Sequence, residues 1–247
     1  MAQGLAEAGC DVVLHGLVPT AEMSDLCCQW QTQHQVQVHY VQEDLSQREG
    51  VLQLHEAACA AVGPPDILLN NAVVRHFGPI ETLAFADWQQ ALAVNVSAAF
   101  GLIQCVLPAM RAARFGRLIQ MTSVYGQRGT TERVDYVTTK TALIGLTRAA
   151  AAETVTDGIT SNAVCPGSVL TPGTDTRVVD LMRKHQWDRA MAMARSHWCF
   201  RIRSTTRVSV PGVNTEPGQT ALLVMPSVTV SAAAARVRPI KAVLVVT

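Results

Sequence analysis

From residue 11 to residue 164, short β-branched or wholly apolar runs alternate with longer helical stretches, and this alternation leaves few architectures open. Asp11-Val12-Val13-Leu14-His15 reads as a strand, and so does the alternating Val36-Gln37-Val38-His39-Tyr40-Val41. Asp66-Ile67-Leu68-Leu69-Asn70 follows the helix breaker Pro64-Pro65 and reads as a buried strand. Gly116 to Thr122 and Ile159 to Val164 complete the set. Between them, helical patterns run over 21–34, 46–62, 87–112 and 135–154, and residues 1–9 read as the last turns of a helix ending at Gly9. Strands separated by helices predict an α/β fold, a doubly wound and largely parallel sheet. The helix over 87–112 is apolar almost all round, which predicts burial against a sheet or a second subunit.

Composition narrows the function. A chain of 247 residues accommodates one domain with a large core. With 49% apolar and 16% charged residues it is not a disordered chain. A net charge of +1 argues against an electrostatic nucleic-acid binder. No uninterrupted apolar run reaches about 18 residues, so no membrane span is expected. The start, Met1-Ala2-Gln3-Gly4-Leu5-Ala6-Glu7, lacks the basic region of a secretory signal. Seven cysteines, an odd number without C-x-x-C spacing, fit reduced thiols in a cytoplasmic protein. His197 and Cys199 are close in sequence, but no second pair joins them, so no metal site is expected.

Three polar residues have separations suited to moving a hydride. Ser123 ends the apolar run Leu118-Ile119-Gln120-Met121-Thr122-Ser123, and Tyr136 and Lys140 follow in Tyr136-Val137-Thr138-Thr139-Lys140. Positions i and i+4 share a helix face, so Tyr136 and Lys140 address the same space. An ammonium beside a phenol favours the phenolate, and such a Tyr can exchange a proton with an alcohol or carbonyl oxygen. Ser123 can hold that oxygen by a hydrogen bond. A Tyr and a Lys four apart also occur on ordinary solvated helix faces, and Ser123 can equally cap the turn after its strand.

The pattern over about residues 1–200 resembles the short-chain dehydrogenase/reductase family. Asp44-Leu45 is similar to the family's acidic–hydrophobic pair at the adenine. Asn70-Asn71-Ala72-Val73 is similar to its Asn-Asn-Ala-Gly, with Val73 in the glycine's place. Asn95, in Val94-Asn95-Val96-Ser97, matches the Asn that completes a tetrad with Ser123, Tyr136 and Lys140. Asn162-Ala163-Val164-Cys165-Pro166-Gly167, with Val169 and Thr171 after it, resembles the segment that closes over the nicotinamide. The resemblance implies a Rossmann-type fold binding NAD or NADP. It makes Tyr136 the acid/base, has Lys140 favour the phenolate and hold the nicotinamide ribose, and gives Ser123 the substrate oxygen. It gives Asn95 a water that relays protons past Lys140. It places Asp44, Leu45, Asn71, Ala72, Pro166, Gly167, Val169 and Thr171 along the cofactor. The bland readings stay open beside these: Asn95 bonded to backbone, Asp44 as an N-cap, Pro166-Gly167 as a turn.

Two departures from the family pattern carry expectations of their own. The family opens with a strand and a glycine-rich turn at the pyrophosphate. This sequence starts after both, and Gly4 and Gly9 do not form G-x-G-x-x-G. The sheet is therefore expected to be incomplete, with a gap between the strands at 11–15 and 66–70. Each unpaired buried backbone group would cost about 1–3 kcal/mol. After Asp188 the only acid is Glu216, against eight Arg and Lys, and no last strand is recognisable. Residues 201–247 are thus expected to be a divergent tail beside a domain over 1–200. A shifted reading frame is favoured over divergence, making the chain a fragment or damaged copy of a reductase, an idea that fails if the neighbouring nucleotides encode no missing segment.

His15-Gly16-Leu17 stands where an acidic residue often binds the ribose 2′-hydroxyl, and no Arg lies beside it. NAD is favoured over NADP, because Val13-Leu14-His15-Gly16 resembles the equivalent stretch of 3-hydroxybutyrate dehydrogenases, a group to which Cys165–Pro172 is similar too. Arg75, His76, Arg128 and Arg133 flank the expected site and suit a carboxylate, unless they are solvated loop charges. An amphipathic helix over 175–197 is expected to be a lid. The sequence is read as an NAD(P)-dependent oxidoreductase interconverting a secondary alcohol and a ketone. The small-molecule substrate is expected to be a small hydroxy acid such as 3-hydroxybutyrate, or a polyol acid. A homodimer or homotetramer is expected through the helices at 87–112 and 135–154. The rival is a catalytically inactive remnant. A nucleic-acid or membrane binder through the basic tail is weaker, because its charges are dispersed and lack interleaved aromatics.

Overall fold

A computed structural model describes residues 1–167, 172–186, 188–189 and 242–246. In chain order the elements are α1 (Ala2–Glu7), β1 (Asp11–Gly16), α2 (Thr20–His34), β2 (Val38–Gln42), α3 (Arg48–Val62) and β3 (Ile67–Asn70). Then come α4 (Phe85–Leu92), a π-helical turn (Ala93–Ser97), α5 (Ala98–Ala113) and β4 (Gly116–Met121). A 3₁₀ turn (Val124–Gly126), α6 (Val134–Thr154), β5 (Ile159–Val164), α7 (Pro172–His185) and β6 (Ala242–Val246) complete the set.

The strands form one six-stranded sheet in the order β2-β1-β6-β3-β4-β5, and every pairing is parallel. Burial follows position in the sheet. The inner strands β3 and β6 are buried at every residue, whereas the edge strand β5 buries Ile159 and Ser161 and exposes Thr160 and Asn162. Strands covered on both faces read as unbroken apolar runs, and edge strands alternate. On one face Leu68, Leu118 and Leu244 pack with Leu54 of α3, Leu102 and Val106 of α5 and Ala150 of α6. On the other, Val12, Leu69 and Val243 pack with Ala6 of α1 and Cys27 of α2. The doubly wound parallel sheet expected from the sequence is present.

The expected gap in the sheet is not. β6 lies between β1 and β3, pairing Val12 and Ile67 with Val243 and His15 and Asn70 with Val246. The strand comes from the stretch expected to hold none. Ala242-Val243-Leu244-Val245-Val246 shows no alternation because both its faces are covered, and within a Val- and Ala-rich stretch such a run does not stand out. Val169, Thr171 and nearly all of the 201–247 tail lie outside the described residues, and so does most of the proposed lid beyond His185.

The helix expected over 87–112 is two helices joined by the π turn. By length and composition the continuous stretch Phe85–Ala113 is apolar enough to cross a membrane, which counting uninterrupted apolar runs did not flag. Within the fold, Leu102 and Val106 of this stretch are fully buried among the sheet and α3.

Candidate active site

In a parallel sheet, ligands gather outside the carboxyl ends of the strands. Ser123 stands just past β4, Asn71 just past β3 and Cys165-Pro166 just past β5, so three segments noted in the sequence meet at that edge. Backbone bonds lace them together. Thr122 N–H donates to Val164 O at 2.8 Å, Val124 N–H to Pro166 O at 3.1 Å, and Asn71 N–H to Val246 O at 2.8 Å. The Thr122 hydroxyl also lies 2.8 Å from Cys165 Sγ.

Ser123 is buried, and its Oγ accepts from Tyr125 N–H at 3.2 Å. This is the turn-capping reading, yet a hydroxyl that accepts one bond keeps its proton to donate. The turn after it presses on α6. A Cβ added at Gly126 would lie 2.7 Å from the Lys140 carbonyl oxygen, so only glycine allows this approach.

Tyr136 and Lys140 share one face of α6, with the Lys140 Nζ 5.7 Å from the Tyr136 ring centre. Lys140 is buried, and its ammonium donates to Met121 O at 2.7 Å, leaving two N–H groups for other acceptors. Burial, and secondarily the positive charge of Arg75, brings the Lys140 pKa down to about 8.

Asn95 lies in the π turn and is 2% exposed. Its Oδ1 accepts from Val74 N–H at 2.7 Å, and its Nδ2 donates to Val74 O at 2.8 Å and Thr139 Oγ1 at 3.1 Å. Both its N–H groups are therefore engaged in pinning the loop after β3 to α6. The extra residue of a π turn rotates a side chain out of helical register, a device often found at functional sites.

Around this centre, Arg75 is exposed and lies 5.8 Å from the Phe77 ring centre. Arg133 lies over the same Phe77 ring, at 4.7 Å, and 5.8 Å from the Tyr125 ring centre. Arg128 is half-buried in the loop between the 3₁₀ turn and α6. His76 is held by Asp135, with Nδ1 at 3.0 Å from its Oδ2. The sequence reading did not single out Asp135 or Thr139. An acid directly before the Tyr, in the first turn of an apolar helix, was the available signal for Asp135.

At the other end of the sheet edge, His15 is buried and its Nε2 lies 2.8 Å from Glu43 O. Asp44 does not cap α3, which starts at Arg48 after Gln47. Its carboxylate accepts from Ser46 N–H at 2.8 Å and Ser46 Oγ at 2.9 Å, closing a turn that presents Leu45 to the core. Ala72 is half-buried and packs against that core.

The residues present at the ends of β3 and β4 fit the nicotinamide end of a dinucleotide. Asn70 Oδ1 and Gln120 Nε2 are buried without a hydrogen-bond partner at the strand ends, and Lys140 has donors to spare.

Comparison with known proteins agrees with the geometry. Residues 1–196 match the family model for short chain dehydrogenases. A D-beta-hydroxybutyrate dehydrogenase of Cupriavidus necator is 31% identical over 173 residues, 70% of this chain and 66% of that protein. One from Rhizobium meliloti is 30% identical over 183 residues, 74% and 71% of the two chains. The chain thus spans about two thirds of the length of these relatives. L-sorbose reductase from Gluconobacter frateurii, solved with NADPH and L-sorbose, is 27% identical with a TM-score of 0.69, over 78% of this chain and 73% of its own. A metagenomic short-chain oxidoreductase solved with NADP is 30% identical with a TM-score of 0.63, over 73% and 82%. With the family model covering most of its length and Ser123, Tyr136 and Lys140 gathered at the strand ends, this chain belongs to the short-chain dehydrogenase family.

Proposed function

We propose that this chain interconverts a secondary alcohol and a ketone with a nicotinamide dinucleotide. The observation that carries the reading is the buried Lys140 beside Tyr136 on α6, facing the end of β4 that holds Ser123. When bound, the nicotinamide supplies or accepts the hydride. Tyr136 Oη gives a proton to the carbonyl oxygen in reduction and takes one from the hydroxyl in oxidation. Ser123 Oγ–H donates to the same oxygen and fixes it. The spare N–H groups of Lys140 hold the ribose hydroxyls, and its charge favours the phenolate. Asn95 anchors the loop over the site through Val74, and its amide oxygen retains a lone pair for a relaying water. Asn71, Ala72, Pro166 and Gly167 border the nicotinamide half, with Val169 and Thr171 following. Asp44 and Leu45 border the adenine.

NAD is the preferred nucleotide in this reading. Residues 1–47 contain no Lys or Arg, and Glu43 and Asp44 stand at the end of β2, so a 2′-phosphate meets no cation there. The substrate is a small hydroxy acid such as 3-hydroxybutyrate, supported by the kinship with the hydroxybutyrate dehydrogenases and by Arg75 beside Lys140. Arg133 shares the Phe77 ring with Arg75 and is a second carboxylate candidate, with Arg128 in the loop before it a third. The apolar Phe85 and Phe100 are 71% and 48% exposed along α4 and α5, which supports a homodimer or homotetramer.

The test is titration of the purified chain with NADH and NADPH, followed by turnover with NAD and 3-hydroxybutyrate. Saturable NADH binding with hydride transfer supports the proposal. A folded chain that binds neither nucleotide sinks it and leaves a catalytically inactive relative.

A further inference from the structure

We propose that Asp135 is a positioning residue whose carboxylate, through His76, fixes the loop carrying Arg75 against the end of α6 carrying Tyr136. The inference rests on the hydride-transfer reading and assigns a device that aligns its two halves.

Asp135 directly precedes Tyr136 and is 1% exposed. A buried carboxylate is tolerated only with several donors, and this one has three. Oδ1 accepts from Tyr136 N–H, at 2.6 Å. Oδ2 accepts from His76 N–H at 2.9 Å and faces His76 Nδ1 at 3.0 Å. An ionised carboxylate only accepts, so His76 Nδ1 is the donor. Asp87 Oδ1 lies 3.7 Å from Nε2 on the far side of the ring. One side chain thus holds the backbone of the catalytic Tyr and both the backbone and ring of a residue on the loop after β3.

The same two segments are joined twice more. Gly78 N–H donates to Glu132 O at 3.2 Å, and Glu132 takes a left-handed φ of 58°. That conformation is uncommon for a non-glycine residue. Arg133 stacks on Phe77. Arg75 itself lies between two pinned residues, Val74 held by Asn95 and His76 held by Asp135. Its guanidinium is exposed, so packing alone does not place it; the anchors on either side do.

The experiment is a mutant cycle on the full chain with His76→Ala, Asp135→Asn and the double variant, plus His76→Asn, which keeps a donor near the Nδ1 position. His76 is partly exposed and Asp135→Asn is isosteric, so the variants retain the fold. Deuterium exchange is followed over 71–78 and 132–137, with kcat and KM for NAD and 3-hydroxybutyrate. Each single variant should speed exchange in both segments. Each should lower kcat about tenfold, with KM for NAD unchanged, because misplacement by a fraction of an ångström suffices for that. The double variant should be no worse than the poorer single one, and His76→Asn should recover most of the loss. Unchanged exchange, losses that multiply in the double variant, or a His76→Asn enzyme as poor as His76→Ala each overturn the proposal. If the wild-type chain transfers no hydride, the functional reading falls on that result, while unchanged or faster exchange still decides the clamp separately.

Discussion

The ammonium of Lys140 donates to the carbonyl of Met121 at 2.7 Å, tying the reactive stretch of α6 to the last residue of β4. The bond leaves a positive charge in a buried place, and the protein's response to pH should show it. Lys140 has its pKa brought from 10.5 down to about 8, by burial first and by Arg75 second. The folded pKa lies below the unfolded one, so the unfolded chain binds more protons between these values. Stability should therefore rise with pH from about 8 to 10.5 relative to a Lys140→Met variant, by roughly 3 kcal/mol in all. Urea unfolding of both proteins across that range measures it, and parallel curves would refute the assignment. In the reducing direction, kcat should fall as pH rises through about 8, where the ammonium is lost.

Removing the phenol alone should separate chemistry from binding. Tyr136→Phe is expected to lower kcat by about 10² to 10⁴, the usual worth of a positioned acid or base. NADH affinity, read by fluorescence titration, should stay within about twofold because the ring and Lys140 remain. A comparable loss of affinity would make Tyr136 a binding group instead.

The nucleotide preference can be reversed at one position. Leu17 follows the end of β1 and is 66% exposed. Leu17→Arg should tighten NADPH about tenfold relative to NADH, the value of one charge-assisted contact to a 2′-phosphate. An unchanged ratio would place the adenosine ribose elsewhere.

The placement of β6 predicts an unusual sensitivity far along the chain. Leu244 is fully buried, as are Leu68 of β3 and Leu118 of β4. Leu244→Ala should destabilise the protein by about 2–5 kcal/mol, as Leu68→Ala and Leu118→Ala should. A change within about 0.5 kcal/mol, as for a surface residue, would show that the strand is not in the sheet.

Legibility from sequence followed the strength of the local signal. β5 was read at its observed bounds, because β-branched alternation ends at Cys165-Pro166. Tyr136 and Lys140 were legible because helical spacing alone puts them together. The π turn at Ala93–Ser97 was not, since one inserted residue barely disturbs an apolar pattern that already runs all round the helix. Asp44 reads equally as a cap or a cofactor contact in sequence, because its turn with Ser46 depends on backbone conformation. The acid before Tyr136 is visible in the sequence, but its partner His76 lies 59 residues away, so the pairing is not. β6 is hard to read because its unbroken apolar run sits within a Val- and Ala-rich stretch that offers several such runs.

That strand also sets an order of events. β1 and β3 leave the ribosome before β6, yet their inner edges cannot close on each other, since β6 belongs between them. Until residues 242–246 are made, two apolar strands wait with open hydrogen-bonding edges. Long-range pairing of this kind slows folding, and waiting edges recruit other chains. The nascent protein should therefore depend on chaperones until residues 242–246 emerge, and a stop before residue 242 should favour aggregation over folding.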